Sequence, residues 1–420
     1  MNESYRVVEQ AARDSRARLL AFLVARSHDV AAAEDALAEA FRAALETWPR
    51  TGVPEKPEAW LLVAARRKLL DGVRHQRVHD AAVPELMAAT QEAYGIAEAG
   101  VQFPDERLEL LFLCAHPAID EAVRTPLMLQ TVLGLDAARI ASAFIVKPSA
   151  MGQRLTRAKA KIRAARIRFD RPESRELVER LEYVLEAIYG AYGTGWDDVI
   201  GADGRRKGLA AEAIVLGRLI VQLMPTEPEA KGLLALMLHC EARREARRTA
   251  VGGYVPLSEQ DTSQWSVAMI EEAEDLLAET ARMQRLGRFQ LEAAIQSAHA
   301  QRAKTGRVDW MAITVLYEGL AHLWPTTGAL VGRAAAVAEA RGAAAALALL
   351  EAIPPARVES YQPYWALAGN LLNRLDRTVE AGNAYGKAVG LCEEPALRDF
   401  LARQSSRLGS SDEIRSGSSE

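Results

Sequence analysis

The stretch from Leu135 to Arg171 constrains this chain more than any other, because it reads as a helix-turn-helix running into a basic helix. Asp136 to Phe144 places Ala137, Ile140, Ala141 and Phe144 on one face, the i, i+3, i+4, i+7 spacing of a buried stripe. Ile145, Val146 and Lys147 make a tight turn, and Pro148 suits the first position of a second helix, where its missing N–H costs little. That second helix carries Arg154, Arg157, Lys159, Lys161, Arg163, Arg166 and Arg168, followed by Arg171, with Asp170 the one acid among them. Met151, Leu155, Ala158 and Ile162 supply its inward face. A helix that is apolar on one side and cationic elsewhere can lie in a major groove and neutralise phosphates. A solvated surface helix usually interleaves acids with bases at i, i+4, and this one does not.

Composition sets the frame for that unit. The 420 residues allow two or three domains, and 49% hydrophobic with 6% aromatic residues favours helices over strands. The predicted fold class is all-α. A net charge of −4 means that affinity for nucleic acid rests on local patches. Cys114, Cys240 and Cys392 are few, odd in number and far apart, which points to a reducing compartment and against disulfides or a zinc site. No run reaches membrane-spanning length and the N-terminus lacks an export core, so the expected location is the cytoplasm, with no membrane partner.

Residues 5 to 47 read as two amphipathic helices, the first with Leu19, Leu20, Phe22 and Leu23 on its core face. The second, Val30 to Thr47, turns Ala33, Ala36, Leu37, Ala40, Phe41 and Ala44 inward and Glu34, Asp35 and Glu39 outward. Trp48 to Pro54, with two prolines and a glycine, reads as a break before a third helix from Pro57 to about Arg77. From Glu173 the logic changes to helical repeats. Trp365, Gly369, Ala381, Tyr385 and Ala388 fall at tetratricopeptide spacing, and Leu330, Ala334, Ala346 and Leu350 repeat the offsets more weakly. The expected domains are 1–80, a linker 81–103, 104–170 with the helix-turn-helix, a repeat domain 171–405 and a disordered tail 406–420.

The third helix adds a second cationic surface, with Trp60 at its start and Arg66, Arg67, Lys68, Arg74 and Arg77 downstream. Rings that stack bases and cations that follow the backbone suit single-stranded DNA. A core anchor is an equal reading of Trp60. Nothing in the sequence organises catalysis. His75 and His79 are spaced i, i+4 at a basic helix end without a Glu-rich context, and Asp197, Asp198 and Asp203 lack calcium-loop spacing. No cofactor, no metal and no enzymatic activity are expected.

Asp35, Glu39 and Phe41, then Trp60, Leu61, Ala65, Arg66, Asp71 and Arg74, resemble the second region of bacterial extracytoplasmic-function (ECF) sigma factors. Asp105 to Leu108, the helix-turn-helix, and Gln153 to Ile162 resemble their fourth region. Asp29 with Ala33 to Ala36, Trp48 to Pro54, and Cys114 to Ala118 further resemble the subgroup with a tetratricopeptide-like C-terminal extension. The resemblance implies two small helical sigma domains followed by helical repeats. It implies core RNA polymerase as partner, reached through the β′ clamp helices by Asp35, Glu39 and Phe41, and promoter DNA as the second partner. Trp60, Arg66, Arg67, Lys68, Arg74 and Arg77 would bind the −10 element; Lys147, Ser149, Gln153, Arg154, Arg157, Lys159 and Lys161 would bind the −35 element. Arg67 stands where the family often has Asn, and Tyr189 to Gly193 where the subgroup often has Phe-Asn-Glu-Gly-Tyr. The extension is expected to regulate the sigma region by direct contact or by recruiting a protein or peptide partner. A DNA-binding regulator that never meets polymerase is the alternative, and the acidic helix with a second DNA-directed helix tells against it; a helical-repeat scaffold is a further one, which co-purification with core polymerase would discriminate.

Overall fold

The computed structural model describes residues 3–27, 29–79, 105–144, 146–164, 172–196 and 208–416. The linker 81–103, Ile145, Arg166, Arg168, Arg171 and the Asp197, Asp198 and Asp203 loop lie outside the described residues, as do the side chains of Arg74, His75, Arg77, His79 and Arg163. The described residues form helices, with Arg248 and Tyr254 making an isolated bridge. They divide into two compact units, 1–223 and 224–420.

The first unit opens with α1 (Glu3–Asp14), α2 (Arg16–Ser27), α3 (Val30–Thr51) and α4 (Pro57–His79). Three helices thus precede the break, where sequence periodicity separates two. Aspartates start the helices that matter most. Asp29 accepts the Ala32 N–H at 3.0 Å at the head of α3, pairing a donor the helix leaves unsatisfied. The proline at position 49 does not end α3, which continues to Thr51 and stops at Gly52 with φ +86°. Trp48 explains the extra turn: fully buried, it meets Trp60 of α4 edge to face at 5.5 Å.

Next come α5 (Glu106–Cys114), α6 (Glu121–Thr131), α7 (Ala137–Ala143) and α8 (Pro148–Ala164). Asp105, Asp120 and Asp136 cap α5, α6 and α7 in turn. Helices α7 and α8 pack together across a short turn in which the Val146 N–H donates to the Ala141 carbonyl at 3.0 Å. Ile140, Ala141, Met151, Leu155 and Ile162 are buried as the periodicity predicts. Phe144, expected in the buried stripe, is 38% exposed because α7 ends at Ala143 and the chain turns before it.

Two further helices complete this unit, α9 (Ser174–Trp196) and α10 (Leu209–Leu223). Sequence places them in the repeat domain, yet α9 packs on α5, α6 and α10. Its Leu177, Leu181, Val184, Leu185 and Ile188 are buried, and Gly190 faces Leu129 of α6. Arg180 is 3% exposed, donates to the Phe112 carbonyl of α5 at 3.2 Å and pairs with Glu176 at 2.5 Å. Arg107 of α5 pairs with Glu212 of α10.

The second unit stacks α11 (Pro228–Glu241), α12 (Val267–Arg282), α13 (Arg288–Ala300), the short α14 (Arg302–Thr305), α15 (Trp310–Leu323), α16 (Thr327–Arg341), α17 (Ala343–Glu351), the short α18 (Pro355–Val358), α19 (Gln362–Arg374), α20 (Thr378–Leu391) and α21 (Pro395–Ser416). Each long helix packs on its chain neighbours, the pattern of a quasi-one-dimensional stack. The seam between α19 and α20 is closely packed. Gly369 lies so close to the Tyr385 ring that a Cβ there would stand 2.8 Å from it, while Ala381 and Ala388 are fully buried. Trp265 is 5% exposed with the Arg302 guanidinium over its ring, and Arg302 also donates to the carbonyls of Ser258 and Gln260. The loop from Leu257 to Trp265 is therefore anchored by a buried tryptophan. Helix α21 runs to Ser416, through part of the tail expected to be disordered, with Leu401 and Leu408 buried along it.

Two histidines tie the stability of this unit to pH. Burial first, and then Arg243, push His239 down to about 4. Burial, Arg243 and Arg302 do the same to His299. Glu274 approaches His239 at 3.7 Å and accepts the Ser297 hydroxyl at 2.6 Å, and burial with Arg243 keeps the imidazole neutral near pH 7. Unfolded histidines titrate near 6.5, so the unfolded chain takes up more protons once the pH falls below that value. Stability is expected to be constant above about pH 7 and to fall between about 6.5 and 4, by at most ~3 kcal/mol per histidine. Thermal melts across that window check this, and His239→Leu should flatten the dependence.

Candidate polymerase and promoter surfaces

Helix α3 presents its acidic face through packing of the opposite side. Ala33, Ala36, Leu37, Ala40, Ala44 and Trp48 are buried, which leaves Asp35 exposed, Glu39 partly exposed and Phe41 half-buried beside them. Arg42 hydrogen-bonds Glu39 at 2.5 Å and holds that carboxyl below the usual carboxylate range. Asp35 and Glu39 thus share an accessible strip one turn apart, while Phe41 flanks the other side of the buried stripe.

Helix α4 packs on α3 through Leu61 and Ala65, and the same registration exposes Arg66, Arg67 and Lys68. Val63 and Leu70 are 52% and 55% exposed beside these cations, giving a surface both cationic and apolar. Trp60 is half-buried against Trp48. Arg74 and Arg77 lie on the described backbone of α4, outside the described side chains.

Lys147, Ser149, Gln153, Arg154, Arg157 and Lys161 are exposed along the turn and the outer face of α8. Lys159 is different. Its ammonium sits 2.7 and 2.9 Å from the two carboxylate oxygens of Glu34 on α3, and the side chains are only 23% and 15% exposed. The pair is separated by 125 residues in sequence, and periodicity within either helix carries no signal for it. Arg180 was equally hidden, since nothing in its sequence neighbourhood names the Phe112 carbonyl as its partner. Among the described residues no group of His, Cys, Asp and Glu side chains is placed to hold a metal ion. No described helix is long and apolar enough to cross a membrane.

Comparison with known proteins fits this layout. Residues 11–78, which span α2 to α4, match sigma-70 region 2. Residues 180–281 match a family of unknown function (DUF6596). An uncharacterized protein of Rhizobium meliloti (strain 1021) is 38% identical over 380 residues, covering 90% of each chain. No solved structure matches the chain. The chain belongs to the sigma-70 family, as an ECF-type sigma factor with a further C-terminal domain. That is a family of non-enzymatic transcription initiation factors, and its region 2 serves polymerase binding and promoter recognition.

Proposed function

We propose that this chain is an alternative sigma factor whose α3 docks on the polymerase β′ clamp helices through Asp35, Glu39 and Phe41. Helix α4 binds the −10 element with Arg66, Arg67, Lys68, Arg74 and Arg77, and Val63 and Leu70 add apolar contact to unstacked bases. Helices α7 and α8 form a helix-turn-helix that reads duplex DNA at the −35 element. Lys147, Ser149, Gln153 and Arg154 lie near the start of α8, where side chains reach base edges, while Arg157 and Lys161 lie where phosphates pass. The observation that carries this reading is the match of residues 11–78 to sigma-70 region 2, over the segment that exposes the acidic strip and the cationic face. The stacked helices of the second unit regulate initiation as a tetratricopeptide-like surface for a protein or peptide partner, supported by the repeat spacing and the Gly369–Tyr385 seam.

Co-elution of the full-length chain with core polymerase tests the assignment against the DNA-only regulator. A stoichiometric complex is expected. A chain that binds duplex DNA tightly yet never co-elutes would be a regulator of another kind.

A further inference from the structure

The second unit gathers hydrogen-bond donors that its own carboxylates leave unused. Arg243, just past the end of α11, donates to the Gln296 side-chain oxygen on α13, with the Cys240 sulfur 3.7 Å away. One turn before Gln296, Glu292 is already engaged by Arg288 at 2.7 Å. Two phenols lie beside these groups. A Cβ at Gly332 would stand 2.7 Å from the Tyr317 hydroxyl, and one at Gly328 would stand 3.4 Å from the Tyr361 hydroxyl. Gly328 and Gly332 share one face of α16 a turn apart, so both hydroxyls lie over that face. Arg333, the next residue, is half-buried, and its Nε is fully buried without a bond. Tyr317 packs on an apolar cluster in which Leu291, Ile313 and Ala329 join α13, α15 and α16, which holds these side chains together.

Among the described residues no carboxylate pairs with Arg243 or Arg333, and neither hydroxyl has a hydrogen-bond partner. Guanidiniums and phenols drawn out of water ordinarily end on an acceptor. Burial, and then Glu292, raise both phenols, Tyr317 to about 12 with Arg243 opposing, so each hydroxyl keeps its proton to donate. We infer that Arg243, Arg333, Tyr317 and Tyr361 form a site for a carboxylate on an acidic segment of a partner protein. The inference rests on the reading of this unit as a partner surface, and it names the chemistry of that partner. A carboxylate accepts two parallel bonds from a guanidinium and keeps lone pairs for the phenols. With Glu292 close by, a singly charged oxyanion meets less repulsion than a doubly charged phosphate.

Hydrogen exchange read by mass spectrometry on the full-length chain tests the site locally. The probes are acetylated, amidated tetraglutamate, the matching tetraglutamine, and inorganic phosphate at equal ionic strength. Tetraglutamate at twice its Kd should slow exchange about threefold in α13 and α15, while tetraglutamine leaves it unchanged. Arg243→Gln should abolish the slowing. Tyr361→Phe should at least halve it without lowering the melting temperature, because the hydroxyl bonds to nothing in the free chain. If Arg243→Gln lowers the melting temperature by more than a few degrees, Tyr361→Phe carries the comparison. Slowing confined to the basic helices α4 and α8, or undiminished in both variants, overturns the site. Slowing by phosphate but not by tetraglutamate overturns the carboxylate assignment. Neither polymerase nor DNA is needed, so failure here strikes this site alone. A chain ending at Leu223 that transcribes in cells as the full-length chain does would count instead against the regulatory reading.

Discussion

Removing every residue after Asp170 is expected to unfold or aggregate the α5–α8 region, whereas a chain ending at Leu223 keeps it folded. The reason lies in α9. Its buried Leu181, Val184, Leu185 and Ile188 belong to the packing of this helix on α5 and α6, where Leu127 and Leu129 are fully buried in turn. Deleting α9 exposes the α5 and α6 side chains it covers, and several such exposures at ~1.5–3 kcal/mol each cost on the order of 5 kcal/mol or more. That is comparable with the whole stability of a small domain. The shorter truncation also deprives the Phe112 carbonyl of the Arg180 guanidinium. Circular dichroism melts of the two truncations check this. Equal melting temperatures for both would show that α9 is a passenger on this unit.

Charge reversal at Asp35 and Glu39 together should weaken binding to core polymerase by at least tenfold while leaving the melting temperature within a few degrees. Asp35 is exposed and Glu39 is partly so, and Glu39's visible partner is Arg42 on the same face, one turn along. A solvent-exposed pair of this kind adds little to stability, so the fold should tolerate the change. An interface that uses two carboxylates against a basic partner should not, since like charges juxtaposed across an interface cost several kcal/mol. Competition for core polymerase against a labelled copy of the unaltered chain measures the effect. Undiminished competition by the reversed variant would move the docking surface elsewhere.

Much of the architecture is legible where local chemistry decides it. The aspartates at positions 29, 105, 120 and 136 announce helix starts because a carboxylate caps free N–H groups. The apolar spacing of α7 and α8 announces Ile140, Met151 and Leu155 as core, and Gly369 opposite Tyr385 follows from the repeat offsets. What long-range packing decides is not legible. Pro49 reads as a break, but the burial of Trp48 against Trp60 carries α3 one turn further. Phe144 fits the helical period and still faces out, because the turn begins before it. Helix α9 has the amphipathic pattern of the helices that follow it, so nothing local says that it packs on α5 and α6. The Glu34–Lys159 pair joins two faces that each read as solvent-exposed from their own helix alone.

Run-off transcription with purified core polymerase tests the central claim most directly. The full-length chain, added to core polymerase over a library of genomic promoter fragments, should produce discrete transcripts from a defined subset carrying shared −10 and −35 sequences. Combined charge reversal at Asp35 and Glu39 should abolish those transcripts. A folded full-length chain that leaves the transcripts of core polymerase unchanged across the whole library would contradict the assignment.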